Sequence, residues 1–449
     1  MGRRAGAVTV SLDIWHLDIP EFLECQTENG DVRRKAYDIF TQLVVVDEFM
    51  RRVKAKREWT LVDPYEVNRV LGFKLSELWG DRFDAAYAEV EQACSDGRLK
   101  LFHRVNAREL FKTAMRTQVE TGLPYVTFKD TINRLNPNKH EGYIPSANLC
   151  EESYSNVTPG KYAHSCNLCS LNLANIEDDL SLHCETAVRI LDNTIDLTNA
   201  PFEASAAHNE RYRTIGVGAM GLADWLAKNQ LRYTDTPAIS DLFEDMGYHC
   251  TRYSMELAKE RGAYPAFEGS EWSRGNVLGG RDSNWIDVKA KDPERWHQLA
   301  RDIQAHGIRN SHVTAIAPNT SSSLVQGCTA SILPTFSKFY YDKWAKGVVP
   351  IAPPFIGDRF WYYTENKVMD QRTVINATAT IQQWIDTGIS MELMFNLNEG
   401  AYHEGVITAK DIYETLVYAW ESGCKAIYYI RTVQKDNYKE SDGCVACAN

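Results

Sequence analysis

The segment Asn148-Leu149-Cys150-Glu151-Glu152 sets an amide, a thiol and a carboxylate at alternate positions. In an extended segment, side chains at i, i+2 and i+4 share one face. Asn148, Cys150 and Glu152 are therefore expected on one side, with Leu149 and Glu151 opposite. A thiol so placed can act as a nucleophile or, as a thiyl radical, abstract a hydrogen atom. The carboxylate can serve as a general base, and the amide can hold a hydroxyl by hydrogen bonds. The plainer reading of this string alone is a buried cysteine in a polar loop.

Three further groups carry chemistry. Ser165-Cys166-Asn167-Leu168-Cys169 has the Cys-x-x-Cys spacing of a redox pair or half a zinc site. Cys444-Val445-Ala446-Cys447 follows a polar stretch, Asp436 to Asp442, and stands two residues from the last residue. All four thiols could ligate zinc, but a site resting on the chain end is disfavoured. A dithiol on a mobile tail can instead carry reducing equivalents. Just upstream, Tyr428-Tyr429 suggests one-electron chemistry. Neighbouring residues of a strand normally face opposite ways, so the plain reading is one core tyrosine and one exposed tyrosine.

Two motifs could bind phosphate. Pro318-Asn319-Thr320-Ser321-Ser322-Ser323 follows a short apolar strand and precedes a helix start. Free N–H groups and the helix dipole there favour an anion; simple capping by Ser or Thr is the alternative. The Gly-Lys of a nucleotide triphosphatase loop is missing. Gly216-Val217-Gly218-Ala219-Met220-Gly221 matches a dinucleotide fingerprint, but the polar run Asn209 to Thr214 precedes it, where a buried strand is required. Close backbone packing at a helix start explains these glycines better.

The elements that must hold these groups alternate between strand and helix, so the class is α/β. Val8 to Leu12 reads as a strand. Tyr37 to Val53, Ala107 to Glu120, Cys184 to Thr198, Ile239 to Arg261, Trp296 to His306, Asp370 to Asp386 and Ala409 to Ser422 read as helices. Val313 to Ala317 and Ile427 to Ile430 read as strands. Asn133 to Ser146 and Val157 to His164 read as loops, and Gly/Ser-rich Glu268 to Asn284 as a surface excursion. With 44% apolar residues over 449, a sizeable core needs no disulfide staples. A net charge of -11 disfavours a nucleic-acid surface. No run approaches the roughly 18 apolar residues of a membrane helix. Eleven cysteines without a secretion signal point to a reducing, cytoplasmic setting.

Taken in order, the motifs resemble the large (α) subunit of class I ribonucleotide reductase. They include Arg4-Ala5-Gly6-Ala7-Val8-Thr9, Trp15-His16-Leu17, the Asn148 to Glu152 loop, Cys166 to Leu173, Thr214 to Ala227, His306 to Ser311, the Pro318 to Ser323 turn, Tyr428-Tyr429 and the terminal dithiol. The resemblance implies part of a ten-stranded α/β barrel over residues 1–435 and a redox-active tail over 436–449. It implies reduction of ribonucleoside diphosphates to deoxyribonucleoside diphosphates. Cys150 would be the transient thiyl radical that takes the 3′ hydrogen, Glu152 the base on the 3′ hydroxyl, and Asn148 its hydrogen-bonding partner. Cys166, and not Cys169, would belong to the dithiol that reduces the substrate radical. Pro318, Asn319, Thr320, Ser321 and Ser322 would cradle the diphosphate, with Arg4 also among the substrate-binding residues. Tyr428 and Tyr429 would relay the radical to Cys150 from a metal-containing small (β) subunit. Cys444 and Cys447 would re-reduce the inner disulfide and be reduced in turn by thioredoxin or glutaredoxin.

The family usually has a large stretch before the Arg-x-Gly-Ala segment, carrying the dNTP and ATP effector sites and the second reducing cysteine. No upstream cysteine precedes Cys166 in the matching place; Cys25 lies on the wrong side of that segment. The expectation is therefore a C-terminal piece of a split large subunit, inactive without a separate N-terminal piece and binding no cofactor directly. A non-catalytic paralogue that binds or regulates a true reductase is the alternative from another class. Other thiyl-radical enzymes of the same barrel type fit less well, since a cobalamin-dependent reductase does not need the tyrosine pair.

Overall fold

The computed structural model describes residues 6–176, 179–344, 347–398 and 407–433. Arg4, Cys444, Cys447 and the expected boundary at 435/436 lie outside them. The described residues hold twelve strands: β1 (Thr9–Asp13), β2 (Phe40–Val45), β3 (Glu58–Val62), β4 (Phe102–Asn106), β5 (Tyr125–Phe128), β6 (Leu168–Asn172), β7 (Gly216–Met220), β8 (Tyr340–Trp344), β9 (Gly347–Ile351), β10 (Leu393–Asn396), β11 (Ala426–Ile427) and β12 (Ile430–Val433).

The strands that matter form an arc with helices behind it. One sheet runs β1-β2-β5-β11, parallel except for β11. β6 pairs with β7 in parallel. Bridges from Val217 to Thr314 and from Ile316 to Ile389 carry the arc onward. Main-chain bonds from Tyr428 N to Met391 O and from Leu393 N to Tyr429 O join that segment to the β11–β12 region. The class is mixed α/β, and among the described residues the arc does not close into a barrel. The hairpins β3–β4 and β8–β9 form sheets of their own.

Alternation along the strands sorts side chains into two environments. Leu43, Val45, Val126 and Phe128 join the large apolar core. Gln42, Tyr125 and Thr127 have the opposite parity, with Gln42 opposite Tyr125 and Val44 opposite Thr127. That second face looks toward residues 148–153 and carries polar groups that are fully buried, Gln42 and Thr127 among them.

Several expectations need correction. Tyr37 to Val53 is not one helix: β2 occupies Phe40–Val45 and a helix begins only at Asp47. Thr41 and the run Leu43 to Val45 are β-branched or apolar and are buried in a central strand, with Phe40 half-buried at its start; periodicity alone cannot separate strand from helix there. Glu268 to Asn284 is irregular but no surface excursion, since Ser270, Trp272, Val277 and Leu278 are buried. Trp272 Nε1 donates to Ser311 O at 2.9 Å, and a Cβ on Gly279 would meet Leu135 O at 2.2 Å. Its glycines serve close packing. Val313 to Ala317 is extended but joins its neighbours by single bridges.

The Gly216-x-Gly218 pair lies inside buried β7. A Cβ on Gly218 would stand 2.4 Å from Ala315 O, and one on Gly216 2.4 Å from Leu168 Cδ2. The glycines let three extended segments approach closely, so no dinucleotide fingerprint is needed to explain them. Gly218→Ala is expected to destabilise the chain by about 1–3 kcal/mol, read as a lower Tm. An unchanged Tm would show that the segments can separate at no cost.

Candidate active site

Residues 148–153 form a tight turn, not the extended segment expected. Glu151 has φ of 72°, a left-handed conformation uncommon outside glycine. Asn148 N donates to Ser153 O at 3.0 Å and Glu151 N to Asn148 O at 3.2 Å, closing the turn. Asn148 and Glu152 meet all the same, because the chain folds back: Asn148 Nδ2 donates to Glu152 Oε1 at 2.9 Å. The same amide lies 3.5 Å from Cys166 Sγ.

The turn is fastened from the 387–391 segment. Ser390 Oγ bonds to Cys150 O at 2.5 Å and to Glu152 Oε2 at 3.1 Å. Gly388 N donates to Glu152 O at 2.8 Å. A Cβ at 388 would stand 2.5 Å from Glu151 O, so only glycine lets the turn approach this closely.

Burial dominates the electrostatics. Glu152 is 2% exposed; desolvation pushes its carboxyl up, while hydrogen bonds from Asn148 and Ser390 pull it down. The Cys150 thiol is pushed up to about 12, first by burial and then by the charge of Glu152. It therefore stays protonated near neutral pH. A protonated thiol is a poor nucleophile, whereas loss of a hydrogen atom requires the S–H form.

The tyrosines gather beside that thiol. Tyr428 Oη bonds to Cys150 Sγ at 3.5 Å. The Tyr428 and Tyr429 ring centroids are 4.4 Å apart. Both rings are buried, at 6% and 7% exposure, against the expected split into one core and one exposed residue. The reason lies in the backbone. The pair sits where the chain leaves β11, paired to β5, and enters β12, paired to β10. Strand alternation is broken there, so both rings reach Tyr125, at 4.6 and 5.0 Å between centroids.

Cys166 and Cys169 meet different surroundings. Cys166 is exposed and lines a pocket of about 380 Å³ with Asn148, Ser153 and His164. Crowding by the protein nevertheless pushes its thiol up to about 11, with Glu152 adding to the effect and Ser153 and Asn148 opposing it. Ser153 Oγ is 2.7 Å from His164 Nε2. Cys169 packs against the apolar core near Cys184, and burial pushes its thiol up to about 12.

The Pro318 to Ser323 turn has the expected form, with a helix over Thr320–Gln326. Pro318, Thr320 and Ser321 line a cleft of about 510 Å³, as do Glu392 and Arg431. Ser322 is exposed. The Asn319 side chain faces inward: its Nδ2 donates to Ala317 O at 3.0 Å and Ala219 O at 3.3 Å, and its Oδ1 accepts from Ser170 Oγ at 3.1 Å. Asn319 thus ties β6 and β7 to the turn.

Sequence reasoning missed Glu151, Tyr125, Gly388 and Ser390. Glu151 was placed with Leu149 on the far side of the strand. In the fold its carboxylate is fully buried, accepting from Gln42 Nε2 and Thr127 Oγ1. Tyr125 carried a weak signal as an aromatic in a short apolar strand; Gly388 and Ser390 carried none.

The ribonucleotide reductase barrel-domain model matches residues 1–430. The chain belongs to the ribonucleotide reductase family. A ribonucleoside-diphosphate reductase subunit alpha from Synechocystis is 67% identical over 454 residues, an alignment that spans all of this chain and 59% of that relative. Proteins of the same description from Helicobacter pylori and Treponema pallidum are each 32% identical across the whole chain, which covers 64% and 54% of them. This member of the ribonucleotide reductase family thus spans less than two thirds of each of these relatives. Its open arc of strands is part of the reductase barrel. Among the described residues of this reductase chain, no helix is long and apolar enough to cross a membrane.

Proposed function

We propose that the chain carries the catalytic centre of a ribonucleoside-diphosphate reductase large subunit and reduces ribonucleoside diphosphates by thiyl-radical chemistry. The observation that carries this reading is the placement of the half-buried Cys150 thiol. It contacts Tyr428 on one side, and the Asn148–Glu152 pair lies two residues away on either side of it in the same turn. The Cys150 thiyl radical takes the 3′ hydrogen atom from the ribose and becomes a thiol. Glu152, held by Asn148 and Ser390, takes the 3′ hydroxyl proton. Cys166 and a second thiol supply two electrons and two hydrogens: one goes as a proton to the leaving 2′ hydroxyl, which departs as water, and the other to C2′, and the two sulfurs are left as a disulfide. Glu152 returns its proton to the 3′ oxygen, and Cys150 returns the hydrogen atom to C3′ and is again the thiyl radical.

The second thiol is assigned to the remaining part of the large subunit. Tyr428 and Tyr429 deliver the radical from a small subunit. Cys444 and Cys447 return the disulfide to dithiol, drawing on thioredoxin or glutaredoxin. Pro318, Thr320 and Ser321 border the cleft for the diphosphate. Asn319 acts there by fixing the turn, and Ser322 and Arg4 are assigned to the same substrate region.

The test is reconstitution with the remaining part of the large subunit, a radical-generating small subunit and a dithiol. Conversion of a ribonucleoside diphosphate carrying deuterium at C3′ is expected to be slowed by the isotope. An assembly that binds substrate yet yields no deoxynucleotide would favour the non-catalytic paralogue instead.

A further inference from the structure

The buried carboxyl of Glu151 has no part in that reaction, yet it sits next to the reactive thiol. It is 0% exposed, and an acid is expensive to bury without partners. Its two oxygens accept from Gln42 Nε2 on β2 and Thr127 Oγ1 on β5. Gln42 in turn accepts from Ser11 Oγ on β1. A polar chain thus crosses three strands and ends on the one turn residue with a left-handed backbone. A glutamate pays a conformational penalty there that glycine would avoid.

From this geometry we propose that Glu151 is a positioning residue for Cys150, locking the 148–153 turn to β2 and β5 so that the sulfur stays against Tyr428. Cys150 is the preceding residue and its carbonyl is already held by Ser390. That contact fixes one side of the peptide unit joining Cys150 to Glu151. The Glu151 side chain fixes the other by anchoring the next Cα. Remove the anchor, and the turn can relax toward an ordinary backbone conformation and swing the thiol away from the tyrosine ring. Burial pushes the Glu151 carboxyl up to about 8, against the pull of its two donors. Both donors come from the sheet, so either protonation state retains contact with it.

The inference rests on the reading above only in taking Cys150 as the thiol that matters. Its test needs no turnover. The folded chain is treated with iodoacetamide, and labelling at Cys150 and Cys166 is followed by peptide mass spectrometry. Glu151→Ala, which removes both acceptors, and Thr127→Val, which removes one donor, are each expected to speed Cys150 labelling about fivefold or more relative to Cys166. Glu151→Gln, whose amide oxygen can accept from Gln42 while its NH2 donates to Thr127, is expected to keep the ratio within about twofold of the parent. Parental Cys150 labelling in folded Glu151→Ala and Thr127→Val overturns the proposal. So does equal acceleration at both cysteines, which would mean general loosening, or acceleration in Glu151→Gln as large as in Glu151→Ala. Thr127→Val keeps the test open should Glu151→Ala fail to fold. None of these results depends on whether the reductase reaction proceeds.

Discussion

Replacing Tyr428 or Tyr429 with Phe is expected to lower deoxynucleotide formation on the order of 10³-fold or more, with substrate affinity unchanged. Phe keeps the ring and its packing against Tyr125 but has no phenol to oxidise by joint loss of an electron and a proton. At Tyr428 the change also removes the oxygen that stands 3.5 Å from Cys150 Sγ. Neither residue borders the cleft beside the 318–323 turn, so equilibrium binding of a ribonucleoside diphosphate should not move. The buried rings are retained, so Tm should fall by only a few degrees. Reconstituted turnover together with a binding isotherm separates the cases. Turnover within tenfold of the parent would remove these tyrosines from the radical path, and with it the class I assignment.

Cys150→Ser should be as severe, for a different reason. Serine occupies nearly the same space and can keep the turn bonded to Ser390 and Gly388. What changes is the bond to hydrogen: an O–H bond is much stronger than S–H, so a radical arriving at Tyr428 cannot be passed to it. The expected result is loss of turnover to background, on the order of 10³-fold or more, with unchanged Tm and substrate binding. Residual turnover above about one part in a hundred would sink the radical mechanism.

Much of this site was legible because its residues lie close together in sequence. Asn148, Cys150 and Glu152 stand within five positions, so any compact arrangement of that loop brings them near one another. Asn148 and Glu152 do meet, but through another geometry: the expected strand is a turn, and the left-handed Glu151 reverses the chain. The contacts that fix the turn come from Gln42, Thr127, Gly388 and Ser390. These lie 24 to 240 positions away, and no local pattern marks them. Tyr428 and Tyr429 show the same limit. Strand alternation put them on opposite sides, but the change of pairing partner from β5 to β10 between them is a tertiary fact. The error over residues 37–53 is of another kind. An apolar run bordered by a true helix satisfies both periodicities over a short window, and burial in the sheet decided for the strand.

The contrasting surroundings of Cys166 and Cys169 bear on oxidative damage. Two thiols three residues apart would ordinarily invite mispairing whenever an oxidant or a mixed disulfide enters the pocket. Here Cys169 is half-buried and packs against the apolar core, and burial pushes its thiol up to about 12. Its buried neighbour Cys250 is pushed up as well, by burial and by the nearby thiols. Exchange requires a thiolate with a path to the attacking sulfur, and burial reduces both at these two positions. The fold thereby sets the exposed sulfur of Cys166 apart from less accessible neighbours, and disulfide scrambling is slowed by placement, without any cysteine having to be given up.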